Sequence, residues 1–271
     1  MITLGIDISK AKIDVWDGQR LTIIDNNEDA LRHAFKRFEG KDARAVMEAT
    51  GRYHRIAHRV LSELGMAVMV LNPFQSRHFA KAMHVLCKTD KVDAKVLAMY
   101  GEKMDFKTTV IMTEDEQTLQ NLIRHLDDLK AMKVRLSVQC KEAGAFEAAS
   151  FERLKKALHT EIEMCEQEAE LLVMLHKEME SKRHILTSIP GVGKMTALML
   201  VGLLRELGSL SRSQLGALAG VAPMNFDSGS FNGKRRIQKG RHDVRRHLYM
   251  PILGDVTRHN PVLKAFYERL L

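Results

Sequence analysis

From Glu114 to Lys182 the chain has no proline and a single glycine, Gly144. A stretch of that length without breakers folds as long α-helix, because proline and glycine are the residues that interrupt the backbone ladder. Leu119, Leu122, Leu126, Leu129, Leu136 and Cys140 fall on an a/d seam interrupted by Lys133. Ile162, Cys165, Ala169, Leu172 and Leu175 make a second periodic run up to His184. The pattern predicts two long helices with a break around residues 143–149, packed as a hairpin or as a dimer arm; a plain helical spacer is the simpler alternative. This block parts the chain into 1–112, 113–183 and 184–271.

The first part alternates strand and helix signals. Short β-type runs at Ile2–Ile8, Ile13–Trp16 and Leu21–Ile24 predict an antiparallel meander. Asn26-Asn-Glu-Asp29 offers a cap for a helix over Ala30–Phe38, stopped by Gly40. A strand Ala43–Glu48, a helix from about Tyr53 to Leu64, a strand Met66–Leu71 and a helix opened by Pro73 follow. Three strands, helix, strand, helix, strand, helix is the order of ribonuclease H-like domains.

Four acids stand out against this frame. Asp7 closes an apolar run and Glu48 closes another, while Asp90 and Asp93 are three apart, a spacing that puts both on one helical face. Carboxylates at the ends of neighbouring strands, facing a helix that brings more, make a cage for two hard cations, as two-metal phosphoryl transfer requires.

The last part opens on Ser188-Ile-Pro-Gly-Val-Gly193, with a helical run predicted over Thr196–Leu207 and a smaller helix over Ser211–Ala222. Helix, glycine turn, helix is a helix-hairpin-helix pattern, in which Gly191, Gly193 and Lys194 would approach a phosphate at a helix N-terminus. A tight turn without a ligand is the plainer reading. A glycine-rich loop carrying Ser228 then leads into Lys234, Arg235, Arg236, Lys239, Arg241, Arg245 and Arg246, with Asp243 the one acid between Ser228 and Met250. Such density suits phosphate contact, and a serine beside it could attack phosphorus, its alkoxide stabilised by guanidinium groups. The alternatives are a turn-forming serine and a solvated helix face. Neither His242 nor His247 sits at a spacing that marks it as the base.

The net charge of +8 fits an anionic polymer as partner without requiring one. Apolar content of 45% with 28% charged residues is that of a soluble protein, and the lack of a signal-type N-terminus or long apolar run predicts a cytoplasmic one. Cys87, Cys140 and Cys165 are odd in number and far apart, so reduced thiols are expected.

These residues together resemble the DEDD transposases of the insertion-sequence 110 group and the related pilin-gene invertases. The markers are Gly5-Ile-Asp7-Ile-Ser-Lys10, Met47-Glu48-Ala-Thr-Gly51, Asn72-Pro73, Lys88-Thr-Asp90-Lys-Val-Asp93-Ala94, Ile189-Pro-Gly-Val-Gly193, Leu218-Ala-Gly-Val-Ala-Pro223 and Ser228-Gly229. The resemblance implies an α/β plus α fold: a RuvC-like nuclease domain, a coiled-coil insertion and a helical C-terminal transposase domain. It implies that Asp7, Glu48, Asp90 and Asp93 hold Mg²⁺, with Mn²⁺ as a substitute, and that Ser228 forms a transient phosphoserine link to DNA. It further implies dimers or tetramers, with the acids of one subunit meeting the serine of another, and guidance by a structured non-coding RNA. Relatives continue through a further basic helix beyond the position of Asn260-Pro261, so a shortened copy is expected here, as is a trimmed stretch between Asp7 and Glu48.

Two other functions remain open at this point. A RuvC-type nuclease would use the acids alone with water as nucleophile; the separate serine loop speaks against it. A nucleic-acid-binding relic of a transposase would lack cleavage; the intact acids speak against that.

Overall fold

β-Branched residues alternating with small or polar ones form an antiparallel meander of β1 (Ile2–Ile8), β2 (Lys12–Trp16) and β3 (Leu21–Asp25). α1 (Glu28–Phe35) follows, its N-cap Asn27 accepting from the Ala30 N–H, and a 3-10 turn carries it to Phe38. Then come β4 (Ala43–Glu48), α2 (His54–Glu63), β5 (Ala67–Leu71), α3 (Pro73–Ala82) and α4 (Asp90–Lys103). β4 runs parallel to β1 and β5 parallel to β4, giving the sheet order β3-β2-β1-β4-β5. Parallel neighbours need crossovers, which α1 and α2 supply. The structure is a computed structural model that describes residues 1–85, 89–225, 227–229, 231–237 and 239–270; Cys87 and Lys88 lie outside the described residues. The chain divides into two compact units, Met1–Ile111 and Met112–Leu271.

The period-two alternation of the strands gives the sheet of the first unit two different faces. Leu4, Ile6 and Ile8 of β1 with Ala43, Ala45 and Met47 of β4 bury against Leu31 and Phe35 of α1 and Ala57, Val60 and Leu61 of α2. The other face carries Thr3, Gly5 and Asp7 on β1 and Arg44, Val46 and Glu48 on β4, and α4 covers it. Gly5 decides how closely. A Cβ there would stand 1.9 Å from the Ala94 carbonyl oxygen and 2.5 Å from the Ala98 nitrogen, so α4 crosses β1 in backbone contact. Arg44 pins the far end of α4, donating to Thr3 Oγ1 (3.0 Å) and to the Gly101 carbonyl (2.6 Å).

In the second unit α5 (Glu114–Glu142) and α6 (Ala145–Leu175) form an antiparallel hairpin. Contacts descend one helix as they climb the other: Lys130 to Glu166 (2.7 Å), Lys133 to His159 (3.2 Å) and Cys140 to Glu152 (3.4 Å). The break falls at Ala143 and Gly144, within the predicted region. The seam differs from the predicted one at both helices. Ile123 and Val173 are fully buried, whereas Leu175 is 80% exposed. Eleven residues from Ile162 to Val173 make three straight-helix turns, so the buried stripe follows the 3.6 period where a strict heptad would miss it.

α7 (Lys177–Thr187), α8 (Lys194–Leu203) and α9 (Arg212–Ala219) pack with the hairpin base around Leu119, Ala169, Leu198 and Ala219. The predicted helix over Thr196–Leu207 stops at Leu203, where the Arg241 guanidinium donates to the freed Leu203 carbonyl (2.8 Å). The helix predicted over Ser211–Ala222 ends at Ala219, because Gly220 takes a left-handed cap. β6 (Asp227–Ser228) and β7 (Phe231–Asn232) form a short antiparallel ribbon, followed by α10 (His242–Pro251), a π-helical turn and a last helix, Pro261–Leu270. Cys140 and Cys165 are free thiols. No helix among the described residues is long and apolar enough to cross a membrane.

Candidate active site

Register brings the first two acids together. Ile6 pairs with Met47, and one residue further along these parallel strands stand Asp7 and Glu48, at the same end and on the α4 face. Asp90 and Asp93 occupy the first turn of α4, whose N-cap Thr89 accepts from the Val92 N–H (3.3 Å). A helix N-terminus carries a partial positive charge, so acids are stabilised there. All four acids line one cavity of about 680 Å³, together with Thr50 and the α3 residues Phe74, Ser76, Arg77, His78 and Lys81.

The electrostatics of this cavity are those of crowded anions. Burial, then Asp93 and Asp90, push the Asp7 pKa from 3.8 up to about 6; the Ile8 N–H, 3.1 Å from Oδ1, opposes them, and Glu48 adds a smaller push. Ser76, buried on α3, places its hydroxyl 2.7 Å from Glu48 Oε2 and 3.1 Å from the Pro73 carbonyl. Oxygen-only donors from three elements, one of them destabilised by its neighbours' charge, suit hard divalent cations. No three of these carboxylates bring oxygens within 4.8 Å of one another. Among the described residues His125, Glu161 and Cys165 do come that close. That group is explained without an ion: the buried Cys165 thiol, raised first by burial and then by Glu161 and Glu168, lies 3.8 Å from Glu161 Oε1 as a weak donor.

Three features of the cavity region lie outside the sequence motifs. Asp14 on β2 pairs directly with Asp7 on β1, and burial followed by Asp90 raises its pKa against Lys12. The meander itself was the available signal, since a tight turn after Ile8 carries Asp14 opposite Asp7. Ser76 gave no signal beyond its place on the helix after Pro73. The stripe Phe74, Arg77, His78 and Lys81, at i, i+3, i+4 and i+7, is signalled only by its spacing on one helical face.

In the second unit Ser228 is exposed, in a ribbon rather than an unstructured loop. It pairs with Phe231, while Asp227 Oδ1 accepts from the Gly233 N–H (3.1 Å) and Met224 bridges Arg236. Lys234, Arg235, Arg236 and Lys239 are exposed. Arg241 forks onto Glu206 (2.7 and 2.6 Å), Arg245 donates to the Gly220 carbonyl (3.2 Å), and Arg246 donates to Asp127 (2.5 Å). Burial alone would raise Glu206, but the Arg241 fork holds it below its ordinary value. His247 Nε2 also meets Asp127, at 2.8 Å. Gly191 bends the turn between α7 and α8 with φ +88°, Gly193 caps α8, and Lys194 is the exposed first residue of that helix.

Residues 4–143 match the DEDD family model of the IS110 type, described as a transposase. Residues 183–268 match the model described as the transposase IS116/IS110/IS902 family. Two pilin gene-inverting proteins, from Moraxella lacunata and Moraxella bovis, are each 24% identical over 282 residues, covering 98% of this chain and 87% of theirs.

Proposed function

The chain belongs to the IS110-type DEDD transposases, and from that membership we propose that it cuts and rejoins DNA with a carboxylate-held metal centre and a serine nucleophile. The observation that carries the metal half is the shared cavity, in which Asp7, Glu48, Asp90 and Asp93 stand together and Asp7 bears the electrostatic load of the other three. These acids would hold the divalent cations, Mg²⁺ or Mn²⁺, which when bound supply polarisation of the scissile phosphate and offset the carboxylate charge. The Ser76 hydroxyl orients Glu48, and the Ile8 N–H orients Asp7.

Ser228 Oγ would attack phosphorus and lose its proton as the P–O(Ser) bond forms. The bond to one deoxyribose oxygen breaks, and that oxygen leaves as a hydroxyl. A hydroxyl of the partner strand then attacks the same phosphorus, restoring a phosphodiester and the serine. The covalent stage conserves the ester bond, which allows rejoining to a new partner where hydrolysis would not. Exposure of Ser228 on a hairpin, beside exposed Lys234, Arg235 and Arg236, supports this role. The reading includes a structured non-coding RNA as guide and a dimer or tetramer as the working form.

An adduct assay tests it. The protein with its co-purifying RNA is incubated in Mg²⁺ with supercoiled DNA carrying the element's flanks and resolved on denaturing gels. A labelled protein–DNA band is expected in the wild type and absent in both Ser228→Ala and Asp7→Asn. Cleavage without an adduct would replace the serine with water. An adduct that persists in Ser228→Ala would assign the attack to another residue.

A further inference from the structure

α3 is built as a rigid wall. Asn72 and Gln75 close a capping box at its start, and Pro73 occupies the first helical turn, so the start of the helix is fixed by the chain itself. Its inner side packs Phe79 edge-on against Tyr100, at a centroid distance of 5.0 Å, and sets Ser76 on Glu48. The adjoining stripe, Phe74, Arg77, His78 and Lys81, lines the same cavity as the four acids. Two of these four are cations and two are aromatic rings already stacked on each other. The rings lie 3.8 Å apart at 30°, and His78 Nδ1–H donates to the Phe74 carbonyl (2.7 Å), which holds the imidazole in place. Phe74 nevertheless remains 43% exposed.

A hydrophobic explanation of this stripe fails, because an aromatic pair kept for the core would be buried there. An ion-pair explanation is weak too: none of the salt bridges of the described residues involves Arg77 or Lys81, although four carboxylates line the same cavity. Charge arithmetic gives the cations a task. Four carboxylates with two divalent cations sum to about zero, so the attraction that draws a phosphodiester inward must come from elsewhere on the wall. Arg77 and Lys81 are placed to supply it. An aromatic pair with this much exposed surface can take a further π-face at its solvent side, and a nucleobase presents one only when it is out of the double-helical stack.

We propose that α3 is a single-strand DNA wall of this cavity: the Phe74–His78 pair stacks an unpaired base next to the scissile phosphate, and Arg77 and Lys81 hold the flanking phosphates. The assignment rests on the four acids being the cutting centre, and it adds a substrate class, a locally unpaired DNA strand. It makes the cavity selective for DNA already opened, so that intact duplex binds the rest of the chain without entering the site.

The test is fluorescence anisotropy of the full chain in Ca²⁺ with a short labelled oligothymidine, its duplex with oligodeoxyadenosine, and the matching oligouridine. Variants of one full-length chain are compared, so the C-terminal basic residues contribute equally to each. Phe74→Leu, which keeps bulk and removes the π-face, is expected to weaken oligothymidine binding by about fivefold to a hundredfold and leave the duplex unchanged. Phe74→Trp should restore it. Arg77→Gln and Lys81→Gln should each make the salt slope shallower by about 0.7. Wild-type affinity in Phe74→Leu, with an unchanged melting temperature, overturns the proposal, as does equal loss on duplex and single strand. A Phe74 dependence confined to oligouridine overturns it in favour of RNA. A separate Mn²⁺ melting titration reports on the metal centre. If Mn²⁺ gives no stabilisation while Phe74→Leu still loses the oligothymidine, the metal reading fails and the stacking wall stands.

Discussion

At the residue scale, the acids differ in what they do to stability as well as to chemistry. Asp7 is raised in the folded protein to about 6 from 3.8. Between those values the native state holds a proton that the unfolded chain has released. The contribution of Asp7 to metal-free stability should therefore decline as pH rises from about 4 to about 6 and stay low above it. Asp7→Asn should remove that decline and melt higher than wild type at pH 7 without metal, while losing the Mn²⁺-dependent rise. Melting curves of both proteins across this window check it, and a wild-type-minus-variant difference that does not change with pH would remove Asp7 from the centre of the charge cluster. The arginines separate in the same manner. Arg241→Ala strands Glu206, which is partly buried, and should cost roughly 1–3 kcal/mol in urea unfolding. Arg235→Ala should leave stability within about 0.5 kcal/mol and weaken DNA binding with a shallower salt slope. The sequence showed both as members of one basic run. What distinguishes them is Glu206, distant in the chain and adjacent in space.

At the element scale, the approach of α4 to β1 holds the site together. Gly5→Ala puts a methyl group into the Ala94 carbonyl. It should destabilise by about 3 kcal/mol or more, since overpacking against backbone has no rotamer to yield. It should also weaken Mn²⁺ binding, although residue 5 touches no metal, because Asp90 and Asp93 ride on the displaced helix. Calorimetric Mn²⁺ titration beside a urea melt gives both numbers, and intact metal affinity would show that the close crossing is dispensable. In the helical hairpin, Ile123→Ala should cost about 2–5 kcal/mol and Leu175→Ala almost nothing. Sequence periodicity located the two helices and their break. It misplaced the far end of the seam, because heptad counting and the true helical period diverge by about a third of a residue per three turns.

At the scale of the whole molecule, the four acids and the cores beneath them lie within Met1–Ile111, while Ser228 and the basic run belong to Met112–Leu271. Residues 1–111 expressed alone should fold cooperatively and be stabilised by Mn²⁺, yet form no covalent DNA adduct. Circular dichroism melting with and without Mn²⁺ tests this, and an unfolded fragment would mean that the first unit needs the second for its stability.

The order of strands and helices, the spacing of Asp7, Glu48, Asp90 and Asp93 along it, and the family could be read from the chain itself. Apolar period, caps and short motifs are local properties, and they survive translation into a line of letters. Only the tertiary structure decided that Asp14 pairs with Asp7, that Ser76 meets Glu48, that a phenylalanine–histidine stack shares a cavity with the acids, and which arginines are committed to internal partners. Those relations are set by strand register, by the glycine-thin gap between β1 and α4, and by contacts over long chain separations. No local pattern encodes them, because each depends on where two distant segments meet.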